Sequence, residues 1–383
     1  MTKPRIVLMA NNIDEVGGAQ RVVHVVAQQL ALRGYPVDLV GVTPASPRHE
    51  YVAEPAFRRF TLMPEEWPAP PDGRLVTRLR PSKRRIIGRR TSLRAEAVAA
   101  LARVLADGPP GIVVPAQLWA MEHLADVPHG DWAVVGQYHS SYEAAAAGRD
   151  LARALTLYRD VDLFTLLTSE DAAAFRRQGM DNTAWLPNPL AFWPEEPVPV
   201  RTAESGVVTY LGRFSTEKGV TFLVDAWGRI AEEFPGWRLR LVGSGPDEKA
   251  VRRQVSGLAA GADRVDILPP VTDTEAELRH ADLVVLPSLT EGLPLVLAEA
   301  MAMGLPCVAA DCSAGVRLLS LDGAAALLVP RADPAALAGR IAGLMAAPDE
   351  RASLGSLARE AVRRYRVDEV MEQWERLIAG VLR

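Results

Sequence analysis

The chain has 383 residues, 49% of them hydrophobic and 23% charged, with a formal net charge of −4. That composition excludes a disordered chain, and the length exceeds what one core usually fills, so two domains are expected. The acidic balance argues against nucleic acid as a partner, and Cys307 and Cys312 alone make neither a disulfide framework nor a metal cluster, which fits a reducing cytoplasm.

The amino end carries a short apolar run soon followed by acidic residues, unlike the core of a signal peptide. No apolar run elsewhere reaches membrane-spanning length, so a soluble or at most peripheral protein is expected. Strand and helix patterns then alternate, the mark of a parallel sheet. Residues 5–10 read as a strand, 19–33 as an amphipathic helix closed by Gly34, and 36–42 as a second strand. Runs at 112–115, 132–137 and 163–168 extend this series. Between Pro187 and Val200 five prolines fall in fourteen residues, which is linker composition. A second series of strands starts at Val207 and continues at 239–242, 265–268, 283–287, 306–310 and 325–329. Two Rossmann-like halves joined by a proline-rich hinge follow from this rhythm.

Candidate chemistry sits where these strands end. Gly17 and Gly18 stand between the first strand and helix, where glycine lets backbone approach a phosphate; a plain tight turn is the alternative, and Asp14 and Glu15 would repel an anion. Arg21 on the following helix either lines a cleft or faces solvent. QYHSSYE, 137–143, follows a strand and offers His139 and Glu143, the latter a guess for an acceptor hydroxyl. A lone histidine is more often structural than catalytic. GRFSTEKG, 212–219, puts Arg213 and Lys218 before a helix starting near Val220, so that two cations and the helix amides make an anion site; a solvated basic loop is the plain alternative. VGSGP places Gly243 at another strand end.

EGLPLVLAEAMAMGLP, 291–306, sets Glu291 on a loop and Glu299 eight positions on, inside a helix that Pro294 opens as a first-turn proline. The amides of Gly292, Leu293 and Leu295 are free at such a helix start. Carboxylates beside amide donors suit a ligand rich in hydroxyls, although two solvated glutamates would look the same. Residues 74–94 hold nine Lys or Arg and no acid. Such a block docks an anionic lipid surface or a polyanionic acceptor, or is simply a solvated loop.

The Gly-Gly pair, GRFSTEKG and the EGLP run with its second glutamate, in this order and at these distances, resemble family-4 retaining glycosyltransferases of the GT-B type. The resemblance implies an α/β GT-B fold, two Rossmann-like domains facing each other across a cleft. Residues 1–190 would form the acceptor side, 191–204 the hinge and 205–366 the nucleotide-sugar donor domain, with a last helix, 367–383, packing back on the first domain. It implies transfer of a hexose from a nucleotide diphosphate sugar, UDP-glucose or UDP-N-acetylglucosamine, to a hydroxyl. By the same resemblance Arg213 and Lys218 stabilise the leaving diphosphate, Glu291 holds sugar hydroxyls and Glu299 the ribose. His139 would stand beside the transferred sugar, Gly17 and Gly18 would face the diphosphate from the other domain, and the Gly243 loop would hold the nucleotide. No cofactor or metal is expected, because no Asp-x-Asp pair stands at a strand end. The pattern departs after Gly315, where Arg317 and Leu318 occupy the place of a usual acidic residue. A polyol or prenyl phosphate acceptor, reached by peripheral contact through 74–94 at the inner membrane face, and a soluble cyclitol or aglycone are both compatible. So are two other function classes: an epimerase on the same plan, and a nucleotide-sugar-binding module without turnover.

Overall fold

The computed structural model describes residues 3–68, 81–201 and 204–382, with backbone alone at 81–84. The chain divides into two compact units, Met1–Pro189 with Met371–Arg383, and Leu190–Val370.

The first unit holds seven parallel strands: β1 (Ile6–Ala10), β2 (Val37–Gly41), β3 (Arg58–Thr61), β4 (Ile112–Pro115), β5 (Ala133–Tyr138), β6 (Leu163–Leu166) and β7 (Thr183–Trp185). Their order is β3-β2-β1-β4-β5-β6-β7. The second unit holds β8 (Gly206–Leu211), β9 (Trp237–Val242), β10 (Val265–Leu268), β11 (Leu283–Leu286), β12 (Cys307–Ala310) and β13 (Leu327–Val329), all parallel, in the order β10-β9-β8-β11-β12-β13. Central strands such as β1, β11 and β12 are buried along their whole length, which is why they read as unbroken apolar runs. Each sheet reverses its winding once, between β1 and β4 and between β8 and β11. In open α/β sheets ligands bind outside the carboxyl ends of the strands at that reversal.

Two strands carry no apolar signature. β3, RRFT, pairs with β2 because Arg58 reaches back to the buried Asp38, Nε donating to Oδ1 at 2.6 Å, and to Asp107 at 2.9 Å. Arg5 donates to the same Asp38 carboxylate, so one buried acid joins three segments. β7 is a three-residue edge strand whose pairing to β6 comes from the neighbour and not from its own composition.

Of the basic segment 74–94, residues 74–80 lie outside the described residues, and 81–94 belong to a helix, Pro81–Ala106, not a loop. Leu93, Ala97, Leu101 and Val104 form its buried stripe, a helical spacing that the arginines around it mask in the sequence. Much of the basic charge is already engaged. Arg89 pairs with Glu65 at 2.8 Å and Glu96 at 3.1 Å, Arg94 pairs with Asp126 at 2.7 Å, and Arg90 lies 5.1 Å from the Trp67 ring centre.

The proline-rich stretch forms no helix or strand and runs along the second unit. Its Leu190 amide donates to Tyr365 O at 2.8 Å and its Val198 amide to Met303 O at 2.7 Å. The last helix, Val367–Val381, belongs to the first unit from Met371 onward; there Trp374 and Ile378 are buried, and Glu375 accepts from Lys3 at 3.2 Å and from the Tyr35 hydroxyl at 3.3 Å. Among the described residues no helix is long and apolar enough to cross a membrane.

Candidate active site

In the second unit the loop after β8 is held by backbone on both sides. Phe214 is fully buried; its amide donates to Ser244 O at 2.8 Å and its carbonyl accepts from Asp247 N at 3.0 Å. This seats the 212–215 segment on the loop after β9, where Gly243 has φ 148° and a Cβ would stand 1.9 Å from Gly212 O. Only glycine fits both that backbone and that approach. Thr216–Lys218 makes a single 3-10 turn before the helix Val220–Ile230. Leu289 N donates to Glu217 O at 2.8 Å, which stitches the turn to the loop after β11.

That stitching sets up the central contact. Lys218 Nζ donates to Glu291 Oε1 at 2.7 Å, and the wholly buried Ser288 donates its hydroxyl to the same oxygen at 2.7 Å. Glu291 keeps 9% of its side-chain exposure and Lys218 30%, so the pair is largely withdrawn from water. Charged hydrogen bonds in such surroundings are strong, and removing one partner leaves the other uncompensated. Arg213 is exposed, and its carbonyl accepts from the buried Tyr210 hydroxyl at 2.8 Å. Burial, and then the Glu291 charge, push the Tyr210 phenol upward, so it stays a donor.

Downstream, Pro294 caps the helix Leu295–Ala302 from outside, one position earlier than the first-turn place expected for it. Its φ of −70° fits either position, but its ψ of 110° is extended. The first intrahelical bond runs from Ala298 N to Pro294 O at 3.2 Å, so the amides of Leu295, Val296 and Leu297 have no helical partner. Glu299, in the second turn, is fully buried. Gly292 O accepts from the Ser313 hydroxyl at 3.3 Å, and Gly315 passes so close that a Cβ there would stand 1.9 Å from the same oxygen. Burial, with Glu291 nearby, pushes the Cys312 thiol up to about 12, so it is no nucleophile at neutral pH. Arg317, standing where an acid was expected, is bound to Asp311 at 2.9 Å.

The first unit arranges its reversal differently. Asn12 Oδ1 accepts the amides of Asp14 at 2.7 Å and Glu15 at 2.8 Å, folding the loop after β1. Asp14 is buried and ion-paired with Arg59, with Arg48 3.6 Å away, so it does not present the bare negative charge that its sequence position suggested. Gly17 caps the helix Gly18–Leu32, but its amide donates to the Tyr51 hydroxyl at 2.7 Å, which in turn donates to Glu15 O at 2.7 Å. Arg21 follows one turn on and is partly exposed. His139 directly follows β5; the residue is partly exposed, yet both ring nitrogens are buried, and neither bonds a described residue. Since protonation happens at those nitrogens, their burial decides: it lowers the imidazole to about 4. Glu143 lies exposed in the first turn of the short helix Tyr142–Ala147.

The structure thus gathers Lys218, Glu291, Gly292, Gly243 and the first turn of the Glu299 helix around one carboxyl edge, and Gly17, Arg21 and His139 at strand ends of the other sheet. Sequence reading missed Ser288, Ser313 and Tyr51. Ser288 had a signal, being a hydroxyl directly after a strand and three residues before Glu291; Tyr51 had none, since a contact 34 residues away leaves no local pattern. Among the described residues no group of three or more His, Cys, Asp or Glu converges as a metal site would require.

Two family models match the chain: Glycosyltransferase Family 4 over residues 16–190, and Glycosyl transferases group 1 over residues 205–347. A phosphatidyl-myo-inositol mannosyltransferase from Mycobacterium leprae is 37% identical over 178 residues, 45% of this chain and 46% of that protein. The chain spans about half or less of the length of several curated relatives it matches. Among solved structures, sucrose-phosphate synthase from Thermosynechococcus elongatus superposes with TM-score 0.77 at 22% identity, covering 99% of each chain. The Anabaena protein HepE, solved with UDP and glucose, gives 0.75 at 19% identity over 98% of this chain and 100% of that one. These likenesses show the fold, GT-B.

Proposed function

Because the chain belongs to the family-4 glycosyltransferases of the GT-B type, we propose that it moves a hexose from a uridine diphosphate sugar to a hydroxyl acceptor, with retention at the anomeric carbon. The observation that carries this reading is the Lys218–Glu291 pair at the reversal between β8 and β11. Cleavage of a sugar–diphosphate bond puts negative charge on the leaving phosphates and positive charge on the anomeric carbon. Lys218, Arg213 and the opening amides of the Leu295–Ala302 helix supply fixed positive potential for the first. Glu291, whose Oε1 is held by Lys218 and Ser288, keeps Oε2 for a sugar hydroxyl. Glu299 takes the ribose hydroxyls. His139, neutral at pH 7, stands beside the transferred sugar and does not act as a cation.

HepE was solved with UDP and glucose, which supports a uridine diphosphate donor with glucose or N-acetylglucosamine here. The name of the mycobacterial mannosyltransferase supports a cyclitol that bears phosphate as the acceptor. Turnover that persists in excess EDTA is expected, since protein cations stand where a divalent ion would otherwise serve.

Melting the protein against UDP-, GDP- and ADP-sugars tests the donor. A ligand at about 100 times its Kd adds about 2.7 kcal/mol of stability, so the true donor should stand out. Slow release of free sugar and nucleoside diphosphate identifies a transferase. An isomerised donor would instead mean an epimerase, and binding without any product a module that has lost turnover.

A further inference from the structure

The donor loops occupy the carboxyl edge of the second sheet. At its amino edge lies a separate cavity of about 520 Å³, between the proline-rich stretch and the segment that leads into the last helix. Gly304, just before β12 begins, lines it, and this fixes the edge because all strands of the sheet run parallel. Its walls carry Trp193, Val198, Arg359, Glu360, Arg363 and Arg366.

Charge is the unusual feature of this cavity. Three guanidinium groups face one carboxylate, an excess of two positive charges (three minus one). Glu360 offsets little, since it meets Arg363 at 3.7 Å with both side chains mostly in water. Arg359 and Arg366 lie over the same indole, 4.5 and 5.4 Å from the Trp193 ring centre. Among the described residues neither has a carboxylate partner. Arg359 donates only to the neutral carbonyls of Ala302, Pro194 and Glu195. Burial, and then Arg366, hold its guanidinium below the usual range. Folding has therefore brought two guanidinium groups to one indole face with no acid between them, so their mutual repulsion is left for an anion to relieve.

We propose that this cavity binds a phosphate monoester, with its dianion between Arg363 and Arg366 and its organic part against Trp193. The volume falls within the range of about 300–1,000 Å³ that small-ligand sites occupy. Guanidinium forks match phosphate oxygens two at a time, and the doubly positive excess suits a dianion better than a single carboxylate. The indole wall supplies the apolar surface that inorganic anions do not need. Nothing in this assignment depends on the sugar-transfer reading.

Calorimetric titration of the full chain with glycerol 3-phosphate, at ionic strength held constant with chloride, tests it. One saturable site is expected. Arg363→Gln with Arg366→Gln should weaken it at least about tenfold, as loss of charged hydrogen bonds requires. Lys218→Gln, at the donor loops, should leave it unchanged. Co-sedimentation with phosphatidylcholine vesicles containing phosphatidate separates the sources. Sedimentation abolished by the double variant means a lipid-borne monoester, and calorimetric binding without sedimentation means a soluble one. Should the double variant fail to fold, Arg363→Glu alone gives the same reading, because that side chain is exposed. The proposal is overturned if neither probe binds, if the charge variants bind as well as wild type, or if Lys218→Gln abolishes binding.

Discussion

At the reversal of the second sheet, a lysine and a glutamate from two different loops meet at 2.7 Å, with a buried serine holding the same carboxylate oxygen. At the reversal of the first sheet, the corresponding loop uses its own polar groups up: Asp14 is joined to Arg59, and the Gly17 amide is given to Tyr51. Both sheets have the same winding, so the difference comes from the loops alone. The second edge arrives with fixed charge, the arrangement through which the proposed transfer would stabilise a leaving diphosphate. At the first edge Asp14 is neutralised by Arg59, and burial of its ring nitrogens keeps the His139 imidazole uncharged at neutral pH. Loop charge separates the two edges more clearly than fold does.

The comparison breaks most visibly at Lys218. Lys218→Ala should lower kcat by about a hundredfold, the scale for removing one preorganised group at a developing anion. It also leaves Glu291 charged and nearly buried without its cation. Steady-state kinetics with a fixed donor checks this. A change confined to KM would mean that the cation grips only the ground state, and the charge contrast between the edges would lose its catalytic meaning.

The two glutamates sharpen the picture at the next scale. Glu299→Ala should weaken free nucleoside diphosphate by about 1.5–3 kcal/mol, the worth of a charged hydrogen bond, because its assigned partner is the ribose. Glu291→Ala should spare that affinity and reduce transfer. Calorimetry with UDP on both variants decides; equal losses would mean that the two carboxylates serve one ligand group.

Much of this was legible in the sequence for a physical reason. Buried parallel strands read as short apolar runs, and helix starts after them read as glycine, proline and charge. Hence Val220 was found as a helix start and Glu291 as a loop residue. What stayed hidden depends on contacts distant in the chain. β3 exists because Arg58 reaches Asp38, twenty residues away. The Pro81–Ala106 helix hid behind its arginines because charge outweighed a buried stripe that begins only at Leu93. The loop of Asp14 looked anion-repelling because Arg59, forty-five residues on, could not be seen beside it.

A smaller test touches the first edge. Tyr51→Phe removes the acceptor of the Gly17 amide and the donor to Glu15 O. Such a loss is worth about 1 kcal/mol, or a melting shift of about 2–4 °C in a unit of this size. UDP affinity should stay the same if this loop's polar groups are spent on the fold. A tighter complex in the variant would mean that the freed amide serves the donor, and the first edge would then be less neutral than its hydrogen bonds indicate.

A separate test of the first edge is a dependence of stability on pH that belongs to His139. Its pKa is lowered from 6.5 to about 4 by burial of the ring nitrogens. Between those values the unfolded chain takes up a proton that the folded chain refuses. Acidification through that window therefore favours unfolding, and the contribution is complete only above about 6.5, the unfolded value. His24, also lowered to about 4, acts in the same direction, so the His139→Gln variant should keep part of the slope and lose the rest. Denaturant midpoints measured across the window from about 4 to 6.5 should rise less steeply in the variant than in wild type. The same neutrality has a kinetic side: kcat/KM should show no ionisation near 6.5 that disappears with His139. A His139-dependent limb there would mean that the imidazole is a cation in the working enzyme, and that the first edge, too, contributes charge.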